Sequence, residues 1–469
     1  MQKLFGTDGI RNESSHQFFS SKSLCTFAKA LAHFIQLRNP NRKSTVLIGL
    51  DGRFSGPNIQ DHLVHWLVLN NIQIAFCEYE NTKQESSPLA EKMRRLSPET
   101  IISTPFLSHM VKKYFDFGIM ITASHNPFLH NGLKLFNADG EKLSQEEETE
   151  IETLFFNPSQ IQPQKNLNLS TNILHRDYVI INDDQLSIYK NKFNLEGIKL
   201  LIDCANGGTS FIAPKIFNGK EHIIINNSPN GKNINLNCGS EFSKNISNLI
   251  LKNNADIGIA FDGDGDRVVF IDEKGKKLSG DQILAICANF FKNQKLLKNN
   301  TVVITSMSNY ALISFLKKIN VNVIITDVGD RNVLYKMKDS NSILGGENSG
   351  HFIFKNYCSC GDGILSALII IDIIKQTKKK LSELASILNL YPQKITNVKV
   401  RKKPPLKELH SLQNIIKNGE KQLNEEGRIL VRYSGTESIC RVLIEGLNVD
   451  IIEKYSKLIS DEISLLIGE

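Results

Sequence analysis

Three times along this chain a strand-length apolar run ends in a polar turn, a helix-periodic stretch follows, and a second apolar run returns. The first unit is "TVLIGLDGR" (Thr45–Arg53), "NIQDHLVHWLVLNN" and "IQIAFCEY" (Ile72–Tyr79). The second runs from "KLLIDCANGG" (Lys199–Gly208) to "HIIIN" (His222–Asn226). The third runs from "TVVITSM" (Thr301–Met307) through "NYALISFLKKI" to "NVIITDVG" (Asn322–Gly329). Such alternation specifies βαβ units with parallel strands and right-handed crossovers. A chain of 469 residues is too long for one core. The pattern therefore predicts an α/β protein of three similar α/β domains with mixed sheets. Near residue 385 the pattern changes. "KITNVKVR", a long helix, "GRILVRYS", "CRVLIEG" and a last helix predict a smaller C-terminal α+β domain. The expected spans are 1–158, 159–276, 277–384 and 385–469, with Asn- and Gln-rich "NPSQIQPQKNLNLS" (Asn157–Ser170) as the first linker.

Composition narrows the function classes. The longest apolar run, "ILSALIIIDII" (Ile364–Ile374), is too short to span a bilayer, and "MQKLFGTDGIR" has no signal-peptide core. A cytoplasmic protein without a membrane partner is expected. The net charge of +7 comes from 56 basic and 49 acidic residues. Its short basic runs, Lys378–Lys380 and Arg401–Lys403, are not interleaved with aromatics, so a nucleic-acid partner is not expected. Mild positive charge suits small anionic ligands. The eight cysteines show neither a zinc pattern nor a disulfide framework, and only Cys358 and Cys360 stand close together. Reduced structural thiols are expected.

One polar loop stands out in each region: Ser124–Pro127 ("SHNP"), Asp262–Arg267 ("DGDGDR"), Gly345–His351 ("GGENSGH") and Arg432–Glu437 ("RYSGTE"). Ligands of open α/β sheets bind beyond the carboxyl ends of the strands, so the four loops could line one central cleft. In "DGDGDR" three carboxylates alternate with glycines that let the backbone curl, a hard-oxygen set suited to Mg²⁺. An EF-hand would place Asp262, Asp264, Asp266 and Glu273 at its positions 1, 3, 5 and 12. It would also need glycine where Arg267 stands, and helices where strand patterns stand. Ser124 has two readings: a turn serine bonding its own backbone, or a phosphorylated hydroxyl completing the metal's shell. A Ser-His hydrolase lacks its GxSxG elbow. Glu347, Ser349 and His351 suit sugar hydroxyls, although a turn explains that loop as well. Arg432, Ser434, Gly435 and Thr436, joined by Arg441, have the makings of a metal-free phosphate cradle.

Taken together, "FGTDGIR", "ITASHNP" with "NGLK", "DCANGG", "SPNGKNINLNCGS", "DGDGDR", "VGDR", "GGENSGH" and "SGTE" occur in this order along the chain. The chain thereby resembles the α-D-phosphohexomutase superfamily over essentially its whole length, nearest its bacterial members that act on glucosamine phosphate. That resemblance implies a phosphoserine at Ser124, with Mg²⁺ held by Ser124, Asp262, Asp264 and Asp266. It implies Arg11 and Arg267 near the transferred phosphoryl, His125 in the catalytic loop, and Lys134 and His351 as candidates for proton transfer. Glu347 and Ser349 match sugar contacts, and the "SGTE" loop matches the distal phosphate site. The implied activity is an isomerase's, interconverting glucosamine 6-phosphate and glucosamine 1-phosphate on the way to UDP-N-acetylglucosamine. A hexosamine or glucose 1,6-bisphosphate serves as intermediate or activator, in a monomer or homodimer. The alternatives are a phosphomannomutase or phosphoglucomutase, and a non-catalytic sugar-phosphate-binding protein. The connection Tyr79–Thr100 is longer than the family pattern leads one to expect.

Overall fold

A computed structural model describes residues 3–79, 101–161, 177–190, 193–434 and 437–469. The long connection after Tyr79 and most of the Asn/Gln-rich linker lie outside the described residues. Among the described residues the strands form four sheets. The first takes β1 (Ile10–Glu13), β2 (Thr45–Leu50), β3 (Gln73–Tyr79), β4 (Phe117–Ile121), β5 (His130–Phe136) and β6 (Asp177–Ile181) in the order β1-β5-β4-β2-β3-β6. The second takes β7 (Leu200–Asp203), β8 (Ile223–Ile225), β9 (Ile257–Phe261) and β10 (Val268–Asp272) in the order β10-β9-β7-β8. The third takes β11 (Thr301–Thr305), β12 (Asn322–Thr326), β13 (Leu344–Gly346) and β14 (Phe352–Phe354) in the order β12-β11-β13-β14.

These orders are one motif built three times. In each, a parallel βαβ pair (β2/β3, β7/β8, β11/β12) gains a third parallel strand beside its first member. That third strand then turns back into an antiparallel neighbour (β4/β5, β9/β10, β13/β14). The loops carrying Ser124, the Asp262–Asp266 carboxylates and Glu347 are the connections of these three antiparallel pairs. The fourth sheet is wholly antiparallel. It joins β15 (Gln393–Lys399), β16 (Gly427–Tyr433) and β17 (Ile439–Gly446) in the order β15-β17-β16, and Arg432 and Ser434 sit at its β16–β17 connection.

One expectation needs correcting. The boundary at 158/159 falls too early, because β6 pairs in parallel with β3 from Ala75↔Asp177 to Tyr79↔Ile181. Past the polar segment, "DYVII" supplies a strand that satisfies the open edge of the first sheet.

Apolar packing divides the molecule unevenly. One continuous buried cluster runs from Leu47, Ile102 and Phe106 through Ile202, Phe261 and Phe270 to Leu284, Ile304 and Leu368. It therefore fuses the first three domains. The C-terminal domain keeps its own core of Val398, Leu412, Val442, Ile444, Ile459 and Ile463. Its helices His410–Leu423 and Val449–Ile467 carry apolar residues at helical spacing and lay them on the sheet. Among the described residues, no helix is long and apolar enough to cross a membrane.

Candidate active site

Ser124 follows the apolar strand β4 and is fully buried, with a positive φ of 52° that a non-glycine residue adopts only when its surroundings hold it. Several contacts hold it here. Its N–H donates to Thr122 Oγ1 at 2.9 Å, and its carbonyl accepts from Arg53 Nη2 at 2.7 Å and Asn235 Nδ2 at 2.8 Å. Arg53, 1% exposed, also donates to the carbonyls of Pro127 at 2.5 Å and His130 at 3.0 Å. Its Nε donates to Asp51 Oδ2 at 2.8 Å. Asn235 spans to the Asn126 carbonyl at 3.0 Å. The serine loop is thus fixed by a buried guanidinium from its own domain and an amide from the second.

Against the serine loop, the alternation of aspartate and glycine does what the sequence predicts. Asp262, Asp264 and Asp266 are all buried, and one oxygen from each lies within 4.8 Å of the others. Gly265, at φ +74°, makes the turn, and its N–H and that of Arg267 donate to Asp262 Oδ1 at 3.1 Å each. Ser124 Oγ donates to Asp262 Oδ2 at 2.6 Å, so the hydroxyl of the first domain meets the carboxylates of the second. Thr104 Oγ1 donates to Asp264 Oδ2 at 2.5 Å. Glu273, the residue an EF-hand would require as a ligand, turns away to accept from Ser382 Oγ at 2.5 Å.

Lys134, 1% exposed, places Nζ 2.8 Å from Asp264 Oδ2, 2.7 Å from Asp266 Oδ2 and 3.1 Å from Asp8 Oδ2. Burial would lower the lysine's pKa, but Asp264, Asp266 and Asp8 together raise it well above the ordinary value. Burial, then Asp266 and Asp264, push Asp262 well up. Asp266 goes the other way. Desolvation opposes its ionisation, but Lys134, His351 and Lys142 more than compensate. The Oδ1 atoms of Asp264 and Asp266 are buried without a hydrogen-bond partner, leaving their lone pairs unsatisfied.

A second polar chain links the first domain to the third. Lys142 pairs with Asp8 and, at 2.5 Å, with Asp330 Oδ2. His351 Nε2 lies 3.5 Å from the same Asp330 oxygen. His351 is 3% exposed, and neither ring nitrogen has a hydrogen-bond partner. Arg11 Nη2 reaches Asp8 Oδ2 at 2.5 Å. Arg267 Nη1 lies 3.1 Å from His125 Nδ1, which is itself 3.5 Å from Ser124 Oγ. Burial, with Arg267 and Arg11 nearby, lowers the His125 pKa and favours the neutral ring.

The remaining predicted residues are spread wider. Glu347 is buried and accepts from the Gly329 N–H at 3.0 Å, whereas Ser349 is exposed. Asn348 Nδ2 donates to the Met307 carbonyl at 3.2 Å, and Arg432 Nη2 lies 3.9 Å from Met307 Sδ. Met307 thereby connects the third domain's loop to the fourth domain. Ser434 and Arg441 both contact Glu437 Oε2, at 3.4 and 2.8 Å, while Gly435 and Thr436 lie outside the described residues. The sequence reading missed Arg53, Asn235, Lys142 and Asp330. The first ends "LIGLDGR" and the last sits in "VGDR", so a charged residue closing a strand was the available signal.

Comparison with known proteins agrees with this architecture. The families described as Phosphoglucomutase/phosphomannomutase, alpha/beta/alpha domains I, II and III, and C-terminal domain, match residues 2–90 with 89–162, 180–275, 279–391 and 395–461, respectively. The chain belongs to the phosphoglucomutase/phosphomannomutase family, the α-D-phosphohexomutases. Within that class, it is 37% identical to the phosphoglucosamine mutase of Syntrophus aciditrophicus over 100% of both chains. It is 39% identical to that of Caldicellulosiruptor saccharolyticus over 97% of both. Among solved structures, a phosphoglucomutase/phosphomannomutase family protein from Burkholderia thailandensis superposes with a TM-score of 0.77 at 17% identity. That match covers 99% of this chain and 98% of the other. Aspergillus fumigatus N-acetylphosphoglucosamine mutase, solved with GlcNAc-6P and magnesium, gives a TM-score of 0.62 at 17% identity, covering 99% and 96%. At such identities the likeness is one of fold.

Proposed function

We propose that this protein interconverts glucosamine 6-phosphate and glucosamine 1-phosphate through a phosphoserine at Ser124 and a 1,6-bisphosphate that stays in the cleft. The observation that carries this reading is the 2.6 Å contact of Ser124 Oγ with Asp262, at the edge of a buried aspartate cluster. The full-length relatives supply the amino sugar.

The donor set fits a divalent cation. Asp264 Oδ1 and Asp266 Oδ1 are buried and unpartnered, beside Asp262. Asp262, Asp264, Asp266 and the Ser124 phosphate would hold Mg²⁺, whose bound charge offsets the negative charge on a transferring phosphoryl. In the first half-reaction the bond from phosphorus to Ser124 Oγ breaks and one to a sugar hydroxyl oxygen forms. The hydroxyl's proton passes to a base. After the bisphosphate turns end for end, the second half-reaction runs in reverse at the other carbon and restores the phosphoserine.

His351 is the base this reading assigns, because it is buried with neither ring nitrogen hydrogen-bonded, and a neutral imidazole offers one of them as an acceptor. Lys134 is a protonated ammonium in contact with three carboxylates and has no lone pair to offer, so its role is to supply positive charge. Arg11 and Arg267 flank the phosphoryl, with His125 positioned by Arg267. Glu347 and Ser349 read the sugar hydroxyls, and Arg432, Ser434, Gly435, Thr436 and Arg441 hold the phosphate at the far end.

Turnover of glucosamine, glucose and mannose 6-phosphates, each with Mg²⁺ and a hexose 1,6-bisphosphate, tests the assignment. The glucosamine phosphate is expected to give the highest kcat/KM, and a clear preference for glucose or mannose would refute the amino-sugar reading.

A further inference from the structure

The segment Cys358–Gly363 borders the active site and carries two thiols that the reaction does not use. Cys358 Sγ and Cys360 Sγ lie 3.3 Å apart, both side chains are buried, and the chain bends at Ser359 and Cys360. Cys360 lines a cavity of about 250 Å³ between the first and third domains, together with Lys142, Asp330 and Arg331. A small oxidant entering that cavity reaches the sulfur directly.

The three residues after the cysteines make the pair consequential. Gly361 lies against His351 so closely that a Cβ there would come within 2.3 Å of Nε2. The Gly363 N–H donates to the Gly265 carbonyl, inside the aspartate loop, at 3.0 Å. Asp362 accepts from Tyr189 Oη at 2.7 Å and caps the helix Gly363–Thr377 through the Leu365 N–H at 2.9 Å. The thiol pair is therefore spliced between the wall of His351 and the floor of the carboxylate cluster.

We propose that Cys358 and Cys360 are a reversible thiol-modification site, forming an intramolecular disulfide that displaces Gly361 against His351 and slows turnover. A disulfide needs its sulfurs about 2.05 Å apart, so the pair must close by more than about 1 Å. The buried side chains around it leave that movement to the loop. With hydrogen peroxide as oxidant, the sulfur of Cys360, which lines the cavity, attacks one peroxide oxygen, the O–O bond breaks, and a sulfenic acid and hydroxide form. The Cys358 sulfur, 3.3 Å away, then attacks the sulfenic sulfur and expels a second hydroxide. The two thiol protons convert both hydroxides to water. Two thiols and one peroxide thus give one disulfide and two waters, and a dithiol reductant reverses the change by becoming a disulfide itself. Cys360 gives up its proton only as it attacks the peroxide, since its hydrogen bond with Cys358 and its burial raise its pKa well above the usual thiol value.

The test oxidises the whole protein with hydrogen peroxide, maps its peptides by mass before and after dithiothreitol, and follows mutase turnover alongside. The expected result is loss of two hydrogens from the peptide holding Cys358 and Cys360, with turnover falling by about tenfold or more and recovering on reduction. Cys358→Ser and Cys360→Ser should keep the basal rate and lose the peroxide response. A peptide that stays fully reduced while other cysteines oxidise overturns the proposal, as does an undiminished peroxide response in both variants. The mass readout does not depend on which sugar phosphate the enzyme uses, so it separates this proposal from the mutase assignment.

Discussion

In the proposed reaction the serine–aspartate face and the C-terminal loop would each meet a phosphate, and they are built by opposite means. Around Ser124 most groups are buried and partnered, and the three domains that build the face share one apolar core. The fourth domain has a core of its own and touches the rest through polar groups. Arg428 Nη2 donates to the Ser308 carbonyl at 2.6 Å, and Arg432 rests on Met307. At its loop, Arg441 is 40% exposed on its side chain and, among the described residues, pairs with Glu437. The difference teaches a division of labour. Chemistry that tolerates little displacement is set in a fused scaffold, and the proposed grip on a phosphate presented from either end falls to a domain with a core of its own.

The comparison breaks first at Ser124. Ser124→Ala should lower mutase turnover by at least about 10³-fold while leaving the circular dichroism spectrum and Tm nearly unchanged, because only one hydroxyl is removed. Retained turnover would contradict the covalent route.

Arg53→Ala probes the rigid side. It removes the donor to three carbonyls of the serine loop and leaves Asp51 buried without its cation. A loss of about 3 kcal/mol in urea unfolding and a drop of about 10²-fold in kcat are expected. Unchanged kcat in a stably folded variant would show that the clamp does not position Ser124.

In the C-terminal domain, Arg441→Ala should raise KM about tenfold and leave kcat within a few-fold, the signature of a lost binding contact. A fall in kcat with KM unchanged would place that arginine in the chemistry instead.

A pH-dependent effect sits at the junction of the two regions. Asp281 is 2% exposed, and burial raises its pKa to about 6, although the Asn309 N–H opposes the shift. The folded state therefore holds this proton more tightly than the unfolded chain. The protonated form's stabilisation is complete below about pH 4 and disappears as the pH rises through 6. Asp281→Asn should accordingly stabilise the protein at pH 7.5 by on the order of 2 kcal/mol and by much less at pH 4, read as the difference in Tm between the two. Equal shifts at both pH values would contradict the buried-proton account.

Much of this was legible in the sequence. Glycines between aspartates announced a converging carboxylate cluster, and alternating strand and helix patterns announced three α/β domains. What stayed hidden depends on separation along the chain. Arg53 reads as the end of a turn until folding brings it to carbonyls 71 to 77 residues away, and Asn235 reaches Ser124 over 111 residues. β6 could not be assigned to the first sheet from its own residues, because a parallel edge strand is recognised by the edge it covers. Where the antiparallel return falls within the mixed sheets the sequence predicts was hidden for a related reason. Short apolar runs such as "LGG" and "FIF" do not declare the direction of their partners.

The account stands or falls on where the phosphoryl is stored. Incubation with a phosphorus-labelled hexosamine 1,6-bisphosphate and Mg²⁺, followed by peptide mapping, should place the label on Ser124, in a form that unlabelled glucosamine 6-phosphate removes. Label on another residue, or none on Ser124 while turnover proceeds, would contradict it.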